Sequence, residues 1–283
     1  MQIIALCGKK QSGKDTLSNF LHGHEMKRHD VVKDFSINEF GNLVINYVEF
    51  DEQGKEKEGV AVFDLNQQTE DFANYANRFI WPLIKGYNFA DALKEICMNL
   101  FGLSYEQCYG PDSWKNSPTK HRWENMPGVI TCSEVWGSLC PDGEPDGLMY
   151  HAAGPMTARE FMQHFGTEVM RKIYSNVWIS NCMKRIDHDR SPVAIISDCR
   201  FINEIEAVKA AGGKVIRLTR APIKSSHSSE NETDDYKNFD GIIDNKNMTI
   251  EESCEAFLEM MVDMGVTKHL RTINPRLGTA TIK

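Results

Sequence analysis

The sequence lacks the features that mark secreted, zinc-stabilised and membrane-spanning proteins. None of its eight cysteines forms a Cys-x-x-Cys pair, and no group of cysteine and histidine residues has zinc-finger spacing. It contains no run of about 18 apolar residues, and its first apolar stretch, Met1–Cys7, is too short for a signal peptide. We therefore expect reduced thiols, no membrane span and a cytoplasmic location.

An excess of positive charge is also missing. Lys and Arg together number 32 against 40 Asp and Glu, which gives a formal net charge of -8. An acidic surface repels nucleic acids and anionic membranes, so direct nucleic-acid binding is not expected. An anionic ligand must therefore be held by a local group of cations.

Internal repeats and low-complexity tracts are absent as well, and 41% of the 283 residues are hydrophobic, which is ordinary globular usage. Short apolar runs predict buried strands at residues 3–7, 192–197, 215–219 and 241–243. Helical periodicity follows or precedes them at residues 15–29, 89–101, 203–211 and 249–264. This alternation predicts an α/β fold with a parallel sheet flanked by helices.

Three stretches and the chain end depart from this alternation. Two apolar runs around a charged turn predict a β-hairpin over residues 43–63, which we interpret as an insertion. Residues 111–154, rich in Pro, Gly and Trp, predict a long variable connection, and residues 221–239 predict a polar, lid-like loop. We therefore predict one domain over residues 1–266, followed by a C-terminal tail over residues 267–283.

A glycine-rich loop follows the first predicted strand. Residues 8–14 have the spacing Gly-x4-Gly-Lys between a strand and a helix, which is the context of a P-loop, whereas the dinucleotide motif Gly-x-Gly-x-x-Gly is absent. Glycines let the backbone wrap a phosphate, the helix N-terminus attracts it, and Lys14 adds a charge for the outer phosphates of ATP. The predicted ATP-binding residues are Gly8, Lys9, Gln11, Ser12, Gly13, Lys14, Asp15 and Thr16.

The residue after the loop lysine is unusual. A standard P-loop has Ser or Thr there, and its hydroxyl binds Mg²⁺, but here Asp15 takes that position and Thr16 follows. An aspartate suits the first turn of a helix, yet beside phosphates it must meet a cation or face away. The sequence leaves open which of the two serves Mg²⁺. The simpler alternative is a glycine-containing turn that only caps a helix.

Asp198 and Arg200 end a later buried strand. A carboxylate at that position can hold Mg²⁺ through water or orient an arginine, and Arg200 can clamp a phosphate with two hydrogen bonds. An ordinary salt bridge at a strand end is the alternative interpretation.

A Thr157–Glu160 capping box predicts the start of another helix. Its apolar residues recur at helical spacing, as Phe161, Phe165, Val169 and Ile173. Arg159, Gln163 and Arg171 are spaced by about four residues and are predicted to lie near one face. Two arginines on a helix more often form a solvated face.

Several aromatic residues could stack on a nucleotide base, namely Phe89, Trp114, Trp123 and Trp136. Tryptophan more often belongs to the core, so none of these four is a strong candidate by itself.

Taken in order, these blocks resemble the deoxynucleoside monophosphate kinases of tailed bacteriophages. The resemblance is carried by Gly8-x4-Gly13-Lys14-Asp15-Thr16, Phe89–Lys94, Thr157–Gln163, Phe165–Glu168, Asp198-Cys199-Arg200, Ala210–Ile216 and His227-x-Ser229-Glu230. Each block is short, but their order matches from near the N-terminus to about residue 262.

The resemblance implies a P-loop kinase fold and transfer of the γ-phosphoryl group of ATP, with Mg²⁺, to a deoxynucleoside monophosphate (dNMP). It implies roles at ATP for Arg220 and Asn245, and at the metal for Thr16 and Asp198. The acceptor-binding residues that it implies are Lys94, Arg159, Gln163, Arg171, Arg200, Glu204, His227 and Glu230. Lys14, Asp198, Arg159 and Arg200 would be catalytic, and the product dNDP would supply phage DNA synthesis in the host cytoplasm.

ATP and a dNMP are thus the expected partners, without nucleic acid or membrane, and a homodimer is compatible with the sequence. Two alternatives remain. One is a P-loop kinase for another small phosphorylated acceptor, of the dephospho-coenzyme A type. The other is an ATP-binding module that phosphorylates no acceptor. Base specificity is left open, because the segments that match the family poorly are those that could set it.

Overall fold

The strands predicted from the sequence meet in one parallel sheet. The computed structural model describes residues 1–50, 55–67, 69–132, 149–222 and 232–266. The sheet contains β1 (Gln2–Cys7), β5 (Ile84–Tyr87), β10 (Val193–Cys199), β11 (Lys214–Leu218) and β12 (Gly241–Ile243). Their order is β12-β11-β1-β10-β5, and every neighbouring pair is parallel. The predicted α/β fold with a parallel, helix-flanked sheet is confirmed, and β5 is a strand that the sequence prediction missed.

The described chain packs into two compact units. The first unit contains Met1–Phe89 and the chain from Met183 onward, and the second contains Ala90–Cys182. The chain passes from the second unit back to the first within the helix α7 (Val177–Asp189). The single domain predicted over residues 1–266 stays a prediction.

Helices cover the sheet of the first unit because its strands are apolar on both faces. They are α1 (Lys14–Arg28), α2 (Glu70–Phe79), α8 (Ile202–Ala210) and α9 (Ile250–Asp263). Ile4 and Leu6 of β1 are fully buried in a cluster with residues of α1, α2 and α9. Successive side chains of a strand point to opposite faces, and α8 packs on β1 and β11 with its own fully buried Val208.

A second, antiparallel sheet packs on α1 in the same unit. It contains β2 (Phe35–Ile37), β3 (Leu43–Phe50) and β4 (Glu56–Val62), in that order. The β3–β4 pair is the hairpin predicted over residues 43–63, while the turn residues 51–54 lie outside the described residues. Gly23 of α1 allows the close approach, since a Cβ there would lie 2.3 Å from the Phe35 ring and 2.6 Å from Leu43.

Short elements make up the second unit. They are α3 (Asp91–Asn99), α4 (Tyr105–Tyr109), α5 (Asp112–Lys115), β6 (Pro118–Arg122), β7 (Val129–Cys132), β8 (Met149–Ala152), β9 (Pro155–Thr157) and α6 (Ala158–Gln163). Phe161 and Met156 are almost fully buried at the centre of their core. The stretch 111–154, predicted as a connection, therefore contains the strands β6, β7 and β8: β7 and β8 pair with each other, and β6 pairs with β9, which begins just beyond the stretch.

The helix predicted after Thr157 begins as expected but does not continue as an α-helix. Thr157 and Glu160 form the predicted capping box, and α6 then passes into a π-helical segment, His164–Arg171. A π-helix has more residues per turn, so α-helical spacing does not hold beyond Gln163. The α-helical spacing predicted from Phe161 to Ile173 was wrong for this reason. Ile173, the last of these residues, is 76% exposed.

Candidate nucleotide-binding site

The candidate site lies at the carboxyl edge of the parallel sheet in the first unit. Parallel strands bring the residues that follow them to the same edge. Gly8 follows β1, Asn88 follows β5, Arg200 follows β10 and Asn245 comes two residues after β12. The residues that the sequence analysis singled out in the first unit therefore gather from distant parts of the chain.

The loop Gly8–Gly13 connects β1 directly to α1, as the P-loop interpretation requires. Gly13 precedes α1 with φ of 101°, a backbone conformation that favours glycine. Gly8 lies where a Cβ would come within 2.7 Å of the Ser12 hydroxyl and 2.9 Å of the Leu218 carbonyl oxygen. Both glycines of the motif are thus required by the fold of the loop.

Lys14 places a positive charge inside this loop. Its side chain is largely buried, and Nζ donates hydrogen bonds to the carbonyl oxygens of Gly8 and Lys9, both at 2.7 Å. A third contact joins Nζ to the Ser12 hydroxyl at 3.3 Å. The ammonium group is therefore held at the N-terminus of α1, where a phosphate would also be favoured by the helix dipole.

Asn245 connects the loop to Arg220, which comes two residues after the end of β11. Its amide nitrogen donates to the Ser12 carbonyl oxygen at 2.8 Å, and its amide oxygen accepts from the Arg220 backbone N–H at 3.0 Å. Asn245 is 3% exposed, so both hydrogen bonds are shielded from water. The structure thus gives the two residues predicted near ATP a common role in positioning the loop.

Lys9 forms an ion pair that anchors the outer side of the loop. Its Nζ lies 2.7 Å from Asp234 Oδ2, and Arg217 Nη2 lies 3.1 Å from the other oxygen of the same carboxylate. Partial burial alone would raise the pKa of Asp234, but the hydrogen bonds from Lys9 and Arg217 outweigh it and lower that pKa. Two cations consequently share one carboxylate beside the loop.

Asp15 and Thr16 have different neighbours at the start of α1. Asp15 Oδ1 lies 2.9 Å from the Ser197 hydroxyl of β10, and that hydroxyl lies 2.9 Å from Asn88 Oδ1 after β5. Thr16 instead packs against Gly41 in the β2–β3 turn, where a Cβ on the glycine would be 2.2 Å from Thr16 Oγ1. The unusual aspartate therefore belongs to an oxygen-rich group at the ends of β10 and β5.

Asp198 and Arg200 stand beside this oxygen-rich group in the chain. Asp198 Oδ1 accepts a hydrogen bond from the Phe89 backbone N–H at 2.8 Å, which links the ends of β10 and β5. Arg200 and Phe201 donate their backbone N–H groups to Glu204 Oε2 at 2.8 Å and 3.1 Å. Glu204, predicted at the acceptor, thus satisfies the N-terminus of α8 here, and its acceptor role stays a prediction.

The thiols of Cys7 and Cys199 face each other at the ends of β1 and β10. Cys7 and Cys199 are partners in the β1–β10 register, and both are fully buried, as expected for cysteines in strands. The hydrogen bond between them lowers the pKa of Cys7 to about 7 and raises that of Cys199, and the charges of Arg217 and Lys14 further lower the first. Arg217 and Lys14 thus act as local cations on the Cys7 thiol, within a chain of net charge -8.

A cavity of about 630 Å³ opens beside the loop, a volume in the usual range for a small-molecule site. Its first side, which we call the phosphate wall, is formed by the loop and the start of α1, Gln11–Leu17. Its second side, the turn wall, is formed by Glu39–Asn42 between β2 and β3. Arg220, Asn245 and Ile250 contribute further lining.

The cations predicted at the acceptor in the second unit have partners of their own. Arg159 forms an ion pair with Asp112 at 2.6 Å and donates to Asn116 Oδ1 at 2.9 Å. Lys94 Nζ lies 4.2 Å from the centre of the Tyr109 ring. Gln163 ends α6 and Arg171 ends the π-helical segment, so the single face predicted for Arg159, Gln163 and Arg171 rests on a wrong helical period.

The remaining predictions for this site divide into three groups. His227 and Glu230, predicted in the lid-like loop, lie outside the described residues, as does Trp136. Phe89 and Trp123 are 3% and 6% exposed and belong to the core, as the alternative interpretation had it. Trp114 is 49% exposed, in the second unit.

Metal and membrane features are absent from the part of the chain that the structure describes. Within those residues, no group of three or more His, Cys, Asp or Glu side chains comes together as a metal site. None of the described helices is long and apolar enough to cross a membrane.

Comparison with known proteins identifies relatives of this chain. A family model for deoxynucleotide monophosphate kinases matches residues 146–255. A protein of Acanthamoeba polyphaga mimivirus, provisionally named a deoxynucleotide monophosphate kinase, is 30% identical over 182 residues. That similarity covers 58% of this chain and 76% of the mimivirus protein. The chain belongs to the deoxynucleotide monophosphate kinase family.

The family model does not include the loop. The matched residues of this kinase-family chain include Arg159, Asp198, Arg200 and Asn245, but they begin long after Gly8–Thr16. The interpretation of the loop therefore depends on its own spacing and on its place between β1 and α1. The resemblance predicted from the sequence is confirmed at the level of the family.

The residues of the site that sequence reasoning missed include Ser197, Asn88 and Phe40. Ser197 contacts both Asp15 and Asn88, and Phe40 lines the turn wall. Ser197 directly precedes the singled-out Asp198, so its place at the strand end was a usable signal. Asn88 depended on recognising β5, and nothing in the local pattern around Phe40 indicates a ligand.

Proposed function

We propose that this protein is an ATP-dependent deoxynucleoside monophosphate kinase, which transfers the γ-phosphoryl group of ATP to a dNMP and yields dNDP. The observation that carries the proposal is Lys14, held within a glycine loop between β1 and α1 in a member of the deoxynucleotide monophosphate kinase family. A loop of this kind supports phosphate binding, and the family supplies the acceptor class.

Mg²⁺ is the metal that this proposal requires, and the side chains at the strand ends fit it. Asp15, Ser197 and Asn88 present three oxygens to one another, with a single hydroxyl proton among them, and Asp198 adds a carboxylate nearby in the chain. Mg²⁺ prefers oxygen ligands and binds through one or two carboxylates together with substrate phosphates. When bound, it would neutralise phosphate charge. We propose Asp15 and Asp198 as its protein-side groups, with Thr16 as the alternative to Asp15.

The proposed reaction needs no general base from the protein. A phosphomonoester has a second pKa of about 6, so the acceptor oxygen is already ionised near neutral pH. The protein must instead align two polyanions and offset their charge. Lys14 supplies that charge at the donor phosphates, and we propose that Arg200 supplies it at the acceptor phosphate. Acceptor roles for Lys94, Arg159, Gln163, Arg171, His227 and Glu230 stay predictions of the family resemblance.

The decisive experiment incubates the purified protein with ATP, Mg²⁺ and each of the common dNMPs, and separates the nucleotide products by chromatography. We expect dNDP and ADP in equal amounts with at least one dNMP. Phosphorylation of dephospho-coenzyme A in place of every dNMP would establish the other acceptor class. ADP formation that is independent of any acceptor would establish an ATPase module and overturn the proposal.

Arg200→Ala tests the acceptor assignment. Loss of a charged phosphate clamp should weaken transition-state binding by about 2–4 kcal/mol, seen in kcat/KM for the dNMP. Arg190→Ala is the matched control, because the Arg190 side chain is 79% exposed and pairs only weakly with Asp187 at 3.9 Å. Unchanged kcat/KM in Arg200→Ala would remove Arg200 from the acceptor site.

The cellular setting of the proposed enzyme follows from the same reasoning. A supply of dNDP serves DNA synthesis, so we propose a role in phage nucleotide metabolism in the host cytoplasm. The homodimer stays a prediction, which size-exclusion chromatography with light scattering can test.

A further inference from the structure

Phe40 is an aromatic side chain whose exposure needs a reason. It is 79% exposed, yet it lines the 630 Å³ cavity beside the loop. A single exposed apolar residue is ordinary on a protein surface, but an aromatic ring at the wall of a polar cavity is a natural surface for a planar ligand.

The turn that carries Phe40 is held in one conformation by its own hydrogen bonds. Asn38 Oδ1 accepts from the backbone N–H groups of Phe40 and Asn42, at 3.0 Å and 2.9 Å. The Asn38 backbone N–H donates to the Asn42 carbonyl oxygen at 3.0 Å, and Gly41 N–H donates to the Asn38 carbonyl oxygen at 2.9 Å. The ring is thus presented from a preorganised support rather than from a loose loop.

The same turn is also fixed to α1, whose first turn is part of the phosphate wall. Asn19 Nδ2 of α1 donates to the Gly41 carbonyl oxygen at 2.9 Å. Gly41 has φ of 80° and lies so close to Thr16 that a Cβ would meet its hydroxyl at 2.2 Å. Phe40 is therefore held at a defined position relative to the phosphate loop.

The two ends of the cavity differ in chemistry. The phosphate wall offers Lys14 and the N-terminus of α1, which suit an anion. The turn wall offers Phe40 as apolar surface and Asn42 as an amide, and Ile250 adds apolar lining. A nucleotide has the same polarity, because its phosphates are anionic and its base is a flat, largely apolar ring with polar edges.

We propose that the β2–β3 turn forms the nucleoside part of the ATP site, with the base of ATP packed against the Phe40 ring. This inference rests on the proposed function in one respect, that ATP is the nucleotide held by the loop. It assigns a ligand-binding role to a turn for which the sequence analysis predicted none. The oxygen-rich group that includes Asp15 belongs to the ends of β10 and β5 and not to the turn. We therefore assign the turn to the nucleoside.

The test compares two ligands that share their phosphates but not their base. Calorimetry on the full chain gives the Kd of ATP and of inorganic tripolyphosphate, without any acceptor. We expect Phe40→Ala to weaken ATP about tenfold, a typical effect of losing one base–aromatic stack. The Kd of tripolyphosphate should not change, and Phe40→Tyr should retain wild-type affinity for ATP. Phe79→Ala is the matched control, because Phe79 is 40% exposed in the same unit and does not line the cavity.

Each outcome decides the inference separately from the proposed kinase activity. An unchanged Kd of ATP in Phe40→Ala would overturn it, and so would an equal loss for tripolyphosphate, since that would indicate damage to the loop. If no dNMP is phosphorylated but Phe40→Ala still weakens ATP selectively, the inference stands and the kinase proposal fails. If dNDP forms and Phe40 has no effect on ATP binding, only the inference fails.

Discussion

The phosphate wall and the turn wall of the cavity are built in different ways. The phosphate wall is one continuous stretch, in which Lys14 hydrogen-bonds to Gly8 and Lys9 only a few residues before it. The turn wall is placed by residues far from it in sequence, since Asn19 holds the Gly41 carbonyl and Gly41 packs on Thr16. Contacts within the loop thus account for much of the phosphate wall, with Asn245 as a distant support of Ser12, whereas the turn wall depends on how the small sheet packs on α1.

The comparison implies that the two walls should respond differently to substitution. A change in the phosphate wall should remove charge or hydrogen bonds and affect the reaction itself. A change in the turn wall should disturb packing and affect the position of the nucleoside. Their common support, α1, should affect both through stability.

Lys14→Ala should have the largest effect. It removes the charge that we propose acts at the donor phosphates, and losing a preorganised electrostatic group of this kind costs about 10²–10³ in kcat. Steady-state dNDP formation measures the loss. Lys27→Ala is the control, because Lys27 lies in the last turn of the same helix and pairs with Asp34. A Lys14→Ala enzyme with normal kcat would show that the loop is only a helix cap.

Acidification should have the next largest effect, because it destabilises α1, the helix that supports both walls. His22 of α1 is 4% exposed, and burial lowers its pKa to about 4 from the ordinary value of 6.5. The unfolded chain therefore binds a proton that the folded chain does not. The free energy of unfolding is unaffected by this group above pH 6.5 and should fall by about 3 kcal/mol as the pH drops towards 4.

Urea unfolding at a series of pH values tests this contribution. His22→Gln removes the titrating group, so the decline of unfolding free energy between pH 6.5 and 4 should become shallower by about that amount. The measured quantity is the slope of the unfolding free energy against pH, which a packing defect alone would not alter. Parallel pH profiles of the two proteins would contradict the assignment.

Gly41→Ala should displace the turn wall where it meets Thr16, while Lys14 keeps its charge and its hydrogen bonds in the phosphate wall. Alanine at φ of 80° is strained, and its Cβ would lie 2.2 Å from Thr16 Oγ1. We expect a loss of about 2–3 kcal/mol in unfolding free energy. Gly212→Ala isolates the backbone cost, since Gly212 has φ of 77° and nothing within 4 Å of its Cβ position. Equal losses in both variants would mean that the contact with Thr16 does not position the turn.

Asn245→Ala should have the smallest effect. It leaves the Ser12 carbonyl oxygen and the Arg220 N–H without their side-chain partner, at a cost of about 1–2 kcal/mol. Because Asn245 supports the phosphate wall, tripolyphosphate and ATP should be weakened together, in contrast to Phe40→Ala. Calorimetry with both ligands measures this, and a loss confined to ATP would place Asn245 at the nucleoside instead.

Much of the frame could be predicted from the sequence. The apolar run before Gly8 and the loop spacing indicated β1, the loop and α1 within one or two residues. The capping box predicted at Thr157 is present, because a cap depends on residues three positions apart. Signals of this range survive in the fold with little tertiary influence.

Other features could not be predicted because their signals are weak or distant. The strand β5 has only four residues, Ile84–Tyr87, and its central Lys85 and Gly86 interrupt the apolar run. The π-helical segment after Gln163 has no local signature in an α-helical pattern. Consequently Asn88, which follows β5, was missed, and the face shared by Arg159 and Arg171 was misjudged.

The sequence by itself determined the glycine loop before α1, the alternation that produces a parallel sheet, and the resemblance to the kinase family, because each depends on short spacings or on similarity along the chain. The tertiary structure alone decided that Asp15 faces Ser197 and Asn88 while Thr16 faces Gly41. It also placed Phe40 at the cavity. These contacts join residues that are distant in the chain, and only the packing of β2 and β3 on α1 and the pairing of β10 with β5 bring them together.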